Sequence, residues 1–205
     1  LGLYEPTAGH IYIDGVDIRE LSDEERRKGF SVIFQDYQSY QLSLRENVAL
    51  GDISKLHDDV KIKAALDDAG IGDLPKMNDK GLDLNLGKIY SDGIDVSGGQ
   101  WQRIAMARSY ISDARLVFLD EPTGGVDPLT RRKFWELIYR ASAEGMTIFV
   151  TTHYLDEAEY CNRVSIMVDG RIKALDTPAA LKAQYHADTM DAVFRTVAAG
   201  AQRGD

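Results

Sequence analysis

Three apolar runs in this chain end in polar residues of the kind that handle a metal–phosphate complex. RLVFLDEP (115–122) delivers two adjacent carboxylates, Asp120 and Glu121, to a loop. Adjacent acids at the end of an apolar strand are costly to place unless they meet a cation or other partners. Asp120 can bind Mg²⁺, directly or through water. Glu121 can polarise an attacking water as a general base. FSVIF (30–34) ends at Gln35, followed by Asp36. A neutral amide there can touch Mg²⁺ or position water without adding charge. MTIFVTTH (146–153) ends in His153. Each residue alone has a plainer reading: a solvated strand end with a capping acid, a loop glutamine, a structural histidine. Their coincidence at three strand ends weighs more than any one of them.

A fourth feature is VSGGQWQRIAMAR (96–108), where a serine and two glycines run into an amphipathic helix pattern. The N-terminus of a helix suits an anion. Gly98 and Gly99 permit close approach of backbone N–H groups to a phosphate. Ser97 can cap the helix and donate its hydroxyl to an oxyanion. Gln100 can add an amide donor. Arg103 and Arg108 are expected to make structural ion pairs. The plainer alternative is a glycine-containing helix cap.

The elements that must position these residues are legible in outline. Residues 10–18 read as a hairpin turning at Asp14-Gly15. Ser22 with Glu25, and Ser43 with Glu46, make capping boxes, so helices are expected over 22–28 and 43–70. Residues 71–95 read as loops with short helical turns. A helix over 97–111 buries Ile104, Ala107 and Ile111. Asp127 caps the next helix with Pro128 at its first position; Phe134, Ile138 and Ala141 face inward and Gly145 ends it. Residues 154–161 read as a short acidic helix, 164–175 as a hairpin turning at Asp169-Gly170, and Thr177-Pro178 as the start of a C-terminal helix. Strands without polar alternation, separated by helices, imply a parallel sheet covered on both faces. Ligands then sit beyond the carboxyl ends of the strands.

Composition narrows the function classes. The chain has 205 residues, 44% hydrophobic and 28% charged, with a net charge of -9. That charge argues against a nucleic-acid partner bound through a broad basic surface. It leaves anionic ligands open, because backbone amides bind phosphate in acidic proteins too. A single cysteine, Cys161, excludes a disulfide framework and is expected to be a buried small hydrophobe. No apolar run approaches the length of a membrane span.

The segment VSGGQWQRIAMAR is similar to the signature of ATP-binding cassette (ABC) ATPases, usually written LSGGQ. FQD (34–36) resembles their Q-loop, RLVFLDEP their Walker B strand with its catalytic glutamate, Gly125-Val126-Asp127 their D-loop, and TTH (151–153) their H-loop. The matches occur in family order, and the resemblance covers nearly the whole chain. It implies an α/β, P-loop NTPase-like fold with a parallel sheet core and β-hairpins in one partial domain over 1–205. A helical subdomain that includes the signature would span about 38–112. The core with Walker B, D-loop and H-loop would span 113–180, and 181–205 would be a tail.

The resemblance also implies ATP, Mg²⁺ and a head-to-tail dimer with a second ABC ATPase domain. Gln35 and Asp120 would serve Mg²⁺, with Gln35 also coupling to a transmembrane permease domain or subunit. Glu121 would activate water and His153 would hold the γ-phosphate. Ser97, Gly98, Gly99 and Gln100 would meet that phosphate across the dimer, and Asp127 would bridge the subunits. Such a domain would sit in the cytoplasm at the inner face of the cell membrane.

Two departures qualify this. No GxxxxGK followed by Ser or Thr, the Walker A loop, occurs in the 205 residues. The chain alone is therefore expected to bind ATP poorly, and its sheet to expose apolar surface. A fragment of a longer exporter ATPase is the favoured explanation. A degenerate subunit that completes a partner's site is the alternative. Soluble ABC ATPases that act on ribosomes or in DNA repair, and a non-enzymatic interaction module, are further classes. The second departure is a mosaic. Residues 1–120 resemble ATPase domains fused to exporter membrane helices. Residues 121–180 resemble separate ATPase subunits of drug- and polysaccharide-type exporters.

Overall fold

The three apolar runs form one parallel sheet, made of β3 (Phe30–Ile33), β4 (Leu116–Asp120) and β5 (Thr147–Thr151), in that order across the sheet. The structure is a computed structural model and describes residues 4–35 and 38–199; Asp36, in the FQD segment, lies outside the described residues. Ile33, Leu119 and Val150 stand level across the three strands, so the strand ends lie side by side. One face carries Ile33, Val117 and Leu119, all buried. On that face, the Ser31 and Ser109 hydroxyls pair at 2.7 Å and join β3 to helix α4 (Gly98–Ile111). The other face carries an aromatic row, Phe30–Phe118–Phe149, with ring centroids 6.2 and 5.7 Å apart. Phe149 and Phe34 are each 52% exposed. Apolar sheet surface is thus open to solvent, as expected from the sequence.

The first unit of the chain ends at Thr151 and a second begins at Thr152, inside the core expected at 113–180. In the first unit, β1 (Tyr12–Ile13) and β2 (Val16–Asp17) form the expected hairpin, with Asp14 and Gly15 both at positive φ. Helix α1 (Asp23–Gly29) starts at its Ser22–Glu25 capping box. The helix expected over 43–70 is broken into α2 (Leu44–Ala49), a 3-10 turn at 53–55 and α3 (Asp59–Asp68). Each piece has its own side-chain cap: Ser43, Asp52 and Asp58. The break also lets the chain pass close to α4. A Cβ built on Gly51 would run into the Arg108 carbonyl and the Ile111 side chain. Gly51→Ala is accordingly expected to cost about 1–3 kcal/mol, read as a lower urea midpoint at unchanged slope. An unchanged midpoint would refute this close packing.

Leu44, Val48, Ile62, Leu66, Ile104 and Met106 are fully buried where α2, α3 and α4 meet. The 71–95 segment carries 3-10 turns at 74–77 and 81–83, and buries Leu82, Leu84 and Leu86. Helix α5 (Pro128–Ala143) buries Phe134, Ile138 and Ala141, with Gly145 past its end at φ 98°.

In the second unit, β6 (Val164–Val168) and β7 (Arg171–Asp176) pair as the expected hairpin, turning at Asp169 and Gly170. The acidic helix expected at 154–161 shrinks to a 3-10 turn at 157–160. The C-terminal helix is two helices, α6 (Pro178–Gln184) and α7 (Met190–Ala198), because Thr189 caps a fresh start. Leu181, Met190 and Val193 pack with Ile166, Val168 and Ala174 as this unit's core. Cys161 is only half-buried, and its thiol donates to the Glu157 carbonyl at 3.7 Å. The two arginines expected in ion pairs differ as well. Among the described residues Arg103 bonds the Gly70 carbonyl. Arg108 bonds the Gln38 and Asn47 carbonyls and the Asn47 amide oxygen, with Tyr40 beneath it. A guanidinium fork suits several carbonyl oxygens at a crowded crossing as well as it suits one carboxylate.

Candidate active site

The end of β4 is held by its neighbour β5. The Thr151 hydroxyl donates to Asp120 Oδ1 at 2.5 Å, while Asp120 remains exposed. This bond holds Oδ1 of an otherwise exposed carboxylate. The Glu121 N–H continues the ladder, donating to the Thr151 carbonyl at 2.9 Å. The backbone then turns sharply. Glu121 has φ +43°, a left-handed conformation that a non-glycine residue adopts at a cost of order 1–2 kcal/mol. The two acids thereby leave the simple alternation of a strand. The Gly124 N–H closes the turn on the Glu121 carbonyl at 3.0 Å.

Two glutamines frame this turn. Gln102 is buried on α4, and its amide N–H donates to the Pro122 carbonyl. Gln35, just past the end of β3, lies close to Gly124 of the turn. A Cβ built on Gly124 would stand 3.6 Å from Gln35 Nε2 and 3.3 Å from the Glu121 carbonyl oxygen. Glycine at 124 therefore leaves the Gln35 amide close to the turn that carries Glu121.

The signature segment forms the first turn of α4. Ser97 is its N-cap and makes a reciprocal capping box with Gln100. The Ser97 N–H donates to Gln100 Oε1 at 2.8 Å, and the Gln100 N–H donates to Ser97 Oγ at 3.3 Å. The Gln100 carbonyl oxygen is thus engaged in the cap, and its NH₂ is what remains for a ligand. Gly98 is exposed. The amides of Gly98 and Gly99 are among the first four of the helix, which have no intrahelical acceptor. Gly99 also allows a close approach: a Cβ there would stand 3.2 Å from Thr130 Cγ2 in the first turn of α5.

Two helix N-termini therefore face one region, and they are not equivalent. That of α5 already holds an anion. The Asp127 carboxylate accepts the Leu129 and Thr130 N–H groups at 3.0 and 3.1 Å and the Thr130 hydroxyl at 2.5 Å. These bonds, the Thr130 hydroxyl foremost, hold its carboxyl below the usual carboxylate range. The N-terminus of α4 holds only a neutral hydroxyl and amide. It is the one with positive potential left for an external anion.

Asp127 gives a pH prediction. A carboxyl with a depressed folded-state pKa contributes stability above its unfolded pKa, and that contribution disappears as pH falls through the folded value. Asp127→Asn keeps a capping side chain and removes the charge. The wild type is expected to be the more stable at neutral pH, with the gap closing in acid. A gap independent of pH would contradict the assignment.

His153 lies in the second unit, two residues past the end of β5. The residue is exposed, and its ring lies against that of Tyr154 with centroids 4.2 Å apart and the planes tilted by 34°. The structure thus brings Gln35, Asp120 and Glu121 to one turn of the first unit. Ser97, Gly98, Gly99, Gln100 and Asp127 gather at the adjoining helix ends, and His153 is placed within its own unit. Thr151, Gln102 and Thr130 go beyond the residues singled out in the sequence. Gln102 had a visible signal: an amide beside apolar Trp101 and Ile104 on a helix, which needs a partner once buried.

Among the described residues no cluster of three or more His, Cys, Asp or Glu gathers as a metal cage. Mg²⁺ needs none. It keeps several waters and binds through one or two carboxylates together with substrate phosphates. The exposed Asp120 carboxylate and the Gln35 amide oxygen are hard donors that fit such a site.

The site thus combines a strand-end carboxylate pair and a glycine-opened helix N-terminus on a parallel sheet. The model of the ABC transporter family matches residues 1–124. The chain is 35% identical over 187 residues to the nisin transport ATP-binding protein NisT of Lactococcus lactis subsp. lactis, covering 90% of this chain and 31% of that protein. It is also 35% identical over 199 residues to the probable multidrug ABC transporter ATP-binding protein YbhF of Escherichia coli (strain K12), covering 94% and 32%. The structure of a bacterial Atm1-family ABC exporter with ATP bound superposes with a TM-score of 0.77 at 24% identity, covering 98% of this chain and 34% of that one. That likeness bears on the fold. The chain spans about a third of the length of these relatives. The chain belongs to the ABC transporter family and corresponds to its ATPase domain. Among the described residues no helix is long and apolar enough to cross a membrane.

Proposed function

We propose that this chain acts in the ATP-hydrolysing domain of an ABC exporter, at the cytoplasmic face of the membrane. The observation that carries the reading is the α4 N-terminus, free of any built-in carboxylate and tied through Gln102 to the turn holding Glu121. Glu121 takes a proton from the attacking water. The Gly98 and Gly99 amides and the Ser97 hydroxyl stabilise charge on the γ-phosphate of an ATP held by a second ABC ATPase domain. Gln100 adds its NH₂, and Asp127 contacts that second domain. His153 holds the γ-phosphate of the ATP bound by its own domain. Asp120 and Gln35 hold Mg²⁺, which supplies charge neutralisation when bound. A transmembrane partner docks beside Gln35. Relatives named for transport of nisin and of multiple drugs support an exporter reading.

Calorimetry tests the nucleotide step. Mg-ATP is expected to bind the 205-residue chain far more weakly than a form carrying a Walker A segment ahead of it. Micromolar binding by the shorter chain would overturn the need for a Walker A segment. A second reading rests on the α4 N-terminus, whose cap holds only neutral groups: the chain completes a partner's site through its Ser97–Gln100 turn. Titrating the chain into a Walker A-bearing ABC ATPase subunit tests that reading. No rise in turnover at any ratio would exclude it.

A further inference from the structure

The turn that carries His153 rests on a buried acid that the mechanism above does not use. Glu157 has no solvent-exposed surface, although it lies only four residues after an exposed histidine. The Thr152 hydroxyl donates to Glu157 Oε2 at 2.7 Å. The same hydroxyl oxygen accepts the Tyr154 N–H at 3.0 Å. The Glu157 N–H donates back to the Tyr154 carbonyl at 3.0 Å. His153 is therefore the central residue of a turn closed on both sides. A hydroxyl has one proton to give. Committing that proton to Glu157 directs the oxygen lone pairs toward the Tyr154 amide, so the two bonds reinforce each other. Tyr154, fixed at both its N–H and its carbonyl, presents its ring to the imidazole of His153. The Cys161 thiol, bonded to the Glu157 carbonyl, ties the far side of the turn.

We infer that Glu157, acting through Thr152, is a positioning residue that sets the direction of the His153 ring. This rests on the reading that His153 meets the γ-phosphate, and it concerns how the ring is aimed before the phosphate arrives. A surface histidine otherwise samples several rotamers, and ordering it at the moment of binding has an entropic cost. The Thr152–Glu157 pair removes that freedom in advance.

The test is the ring spectrum of His153 in the 205-residue chain, recorded by proton–carbon correlation and assigned with His153→Gln. The nearby Tyr154 ring shifts these signals away from free histidine. Thr152→Val, which keeps the shape and removes the hydroxyl, is expected to move them toward free-histidine positions. Thr152→Ser restores the hydroxyl and is expected to restore the signals. Glu157→Leu is expected to reproduce the Thr152→Val shift, with His10, His57 and His186 reporting an unchanged fold. If Glu157→Leu disturbs all four histidines, the Thr152 pair decides alone. His153 signals unchanged in Thr152→Val overturn the proposal. The role of His153 itself is read separately, from ATP turnover of His153→Gln in a Walker A-bearing form. Turnover retained there removes the γ-phosphate role and leaves the ring geometry measured by the spectra intact.

Discussion

Glu121→Gln is expected to lower ATP turnover by about 10²–10⁴-fold in a Walker A-bearing form of this chain, the range typical for loss of a general base. The amide matches the carboxylate in shape, so the turn closed by Gly124 and framed by Gln102 and Gln35 is retained. It cannot take a proton from water. Nucleotide binding is expected to survive, because Glu121 contributes no phosphate-binding donor. The measurement is steady-state phosphate release alongside Mg-ATP affinity. Turnover within a few-fold of wild type would show that another group activates the water. The φ of +43° sharpens the argument. A merely structural residue at 121 would be better replaced by glycine, which adopts that conformation without steric cost. Glu121→Gly is expected to unfold no more easily than wild type while losing turnover as Glu121→Gln does. That pattern fits strain retained for function.

The second large effect concerns the signature helix. Gly98→Asp places a carboxylate at the N-terminus of α4. An acid there favours the helix by about 0.3–1 kcal/mol, so thermal stability is expected to hold or rise slightly. The same charge occupies the position proposed for the γ-phosphate and repels it. Turnover is expected to fall by at least about 10²-fold, the scale for losing one donor to a developing oxyanion. Helix stability and activity would then move in opposite directions. Retained turnover would mean that no anion approaches this helix end. A large loss of stability would mean that the glycine serves packing alone.

The sequence made much of this architecture readable where local chemistry decides conformation. Ser22 with Glu25 and Ser43 with Glu46 start helices, and Asp14-Gly15 and Asp169-Gly170 turn hairpins, because each pattern satisfies its own backbone groups. The parallel sheet followed from apolar runs without alternation. What was illegible depends on groups distant in the chain. The break in 43–70 is set by the passage of Gly51 under the Arg108 carbonyl, a partner 57 positions away. Leu82, Leu84 and Leu86 sit in a segment without periodicity, yet they are buried. Arg103 and Arg108 found carbonyl oxygens at helix crossings instead of carboxylates, a choice that spacing does not encode. In the site, the acids and glycines were visible by type. Their supports were not: Thr151 reads as an ordinary β-branched strand residue until the register sets it beside Asp120. Gln100 was legible as a donor, but its carbonyl oxygen is taken by the helix cap.

In the proposed function, one ATP is served by Glu121 of one chain and the Ser97–Gln100 turn of another. Mixing two impaired variants of the Walker A-bearing form tests this most directly. Glu121→Gln keeps a sound signature helix, and Gly98→Asp keeps a sound water-activating acid. In a head-to-tail dimer of the two, one site collects both lesions and the other has none. Turnover, lowered at least about 10²-fold in each variant alone, is expected to reappear on mixing. A mixture as inactive as its parts would contradict the proposed function, because Glu121 and the signature turn would then serve the same chain's own ATP.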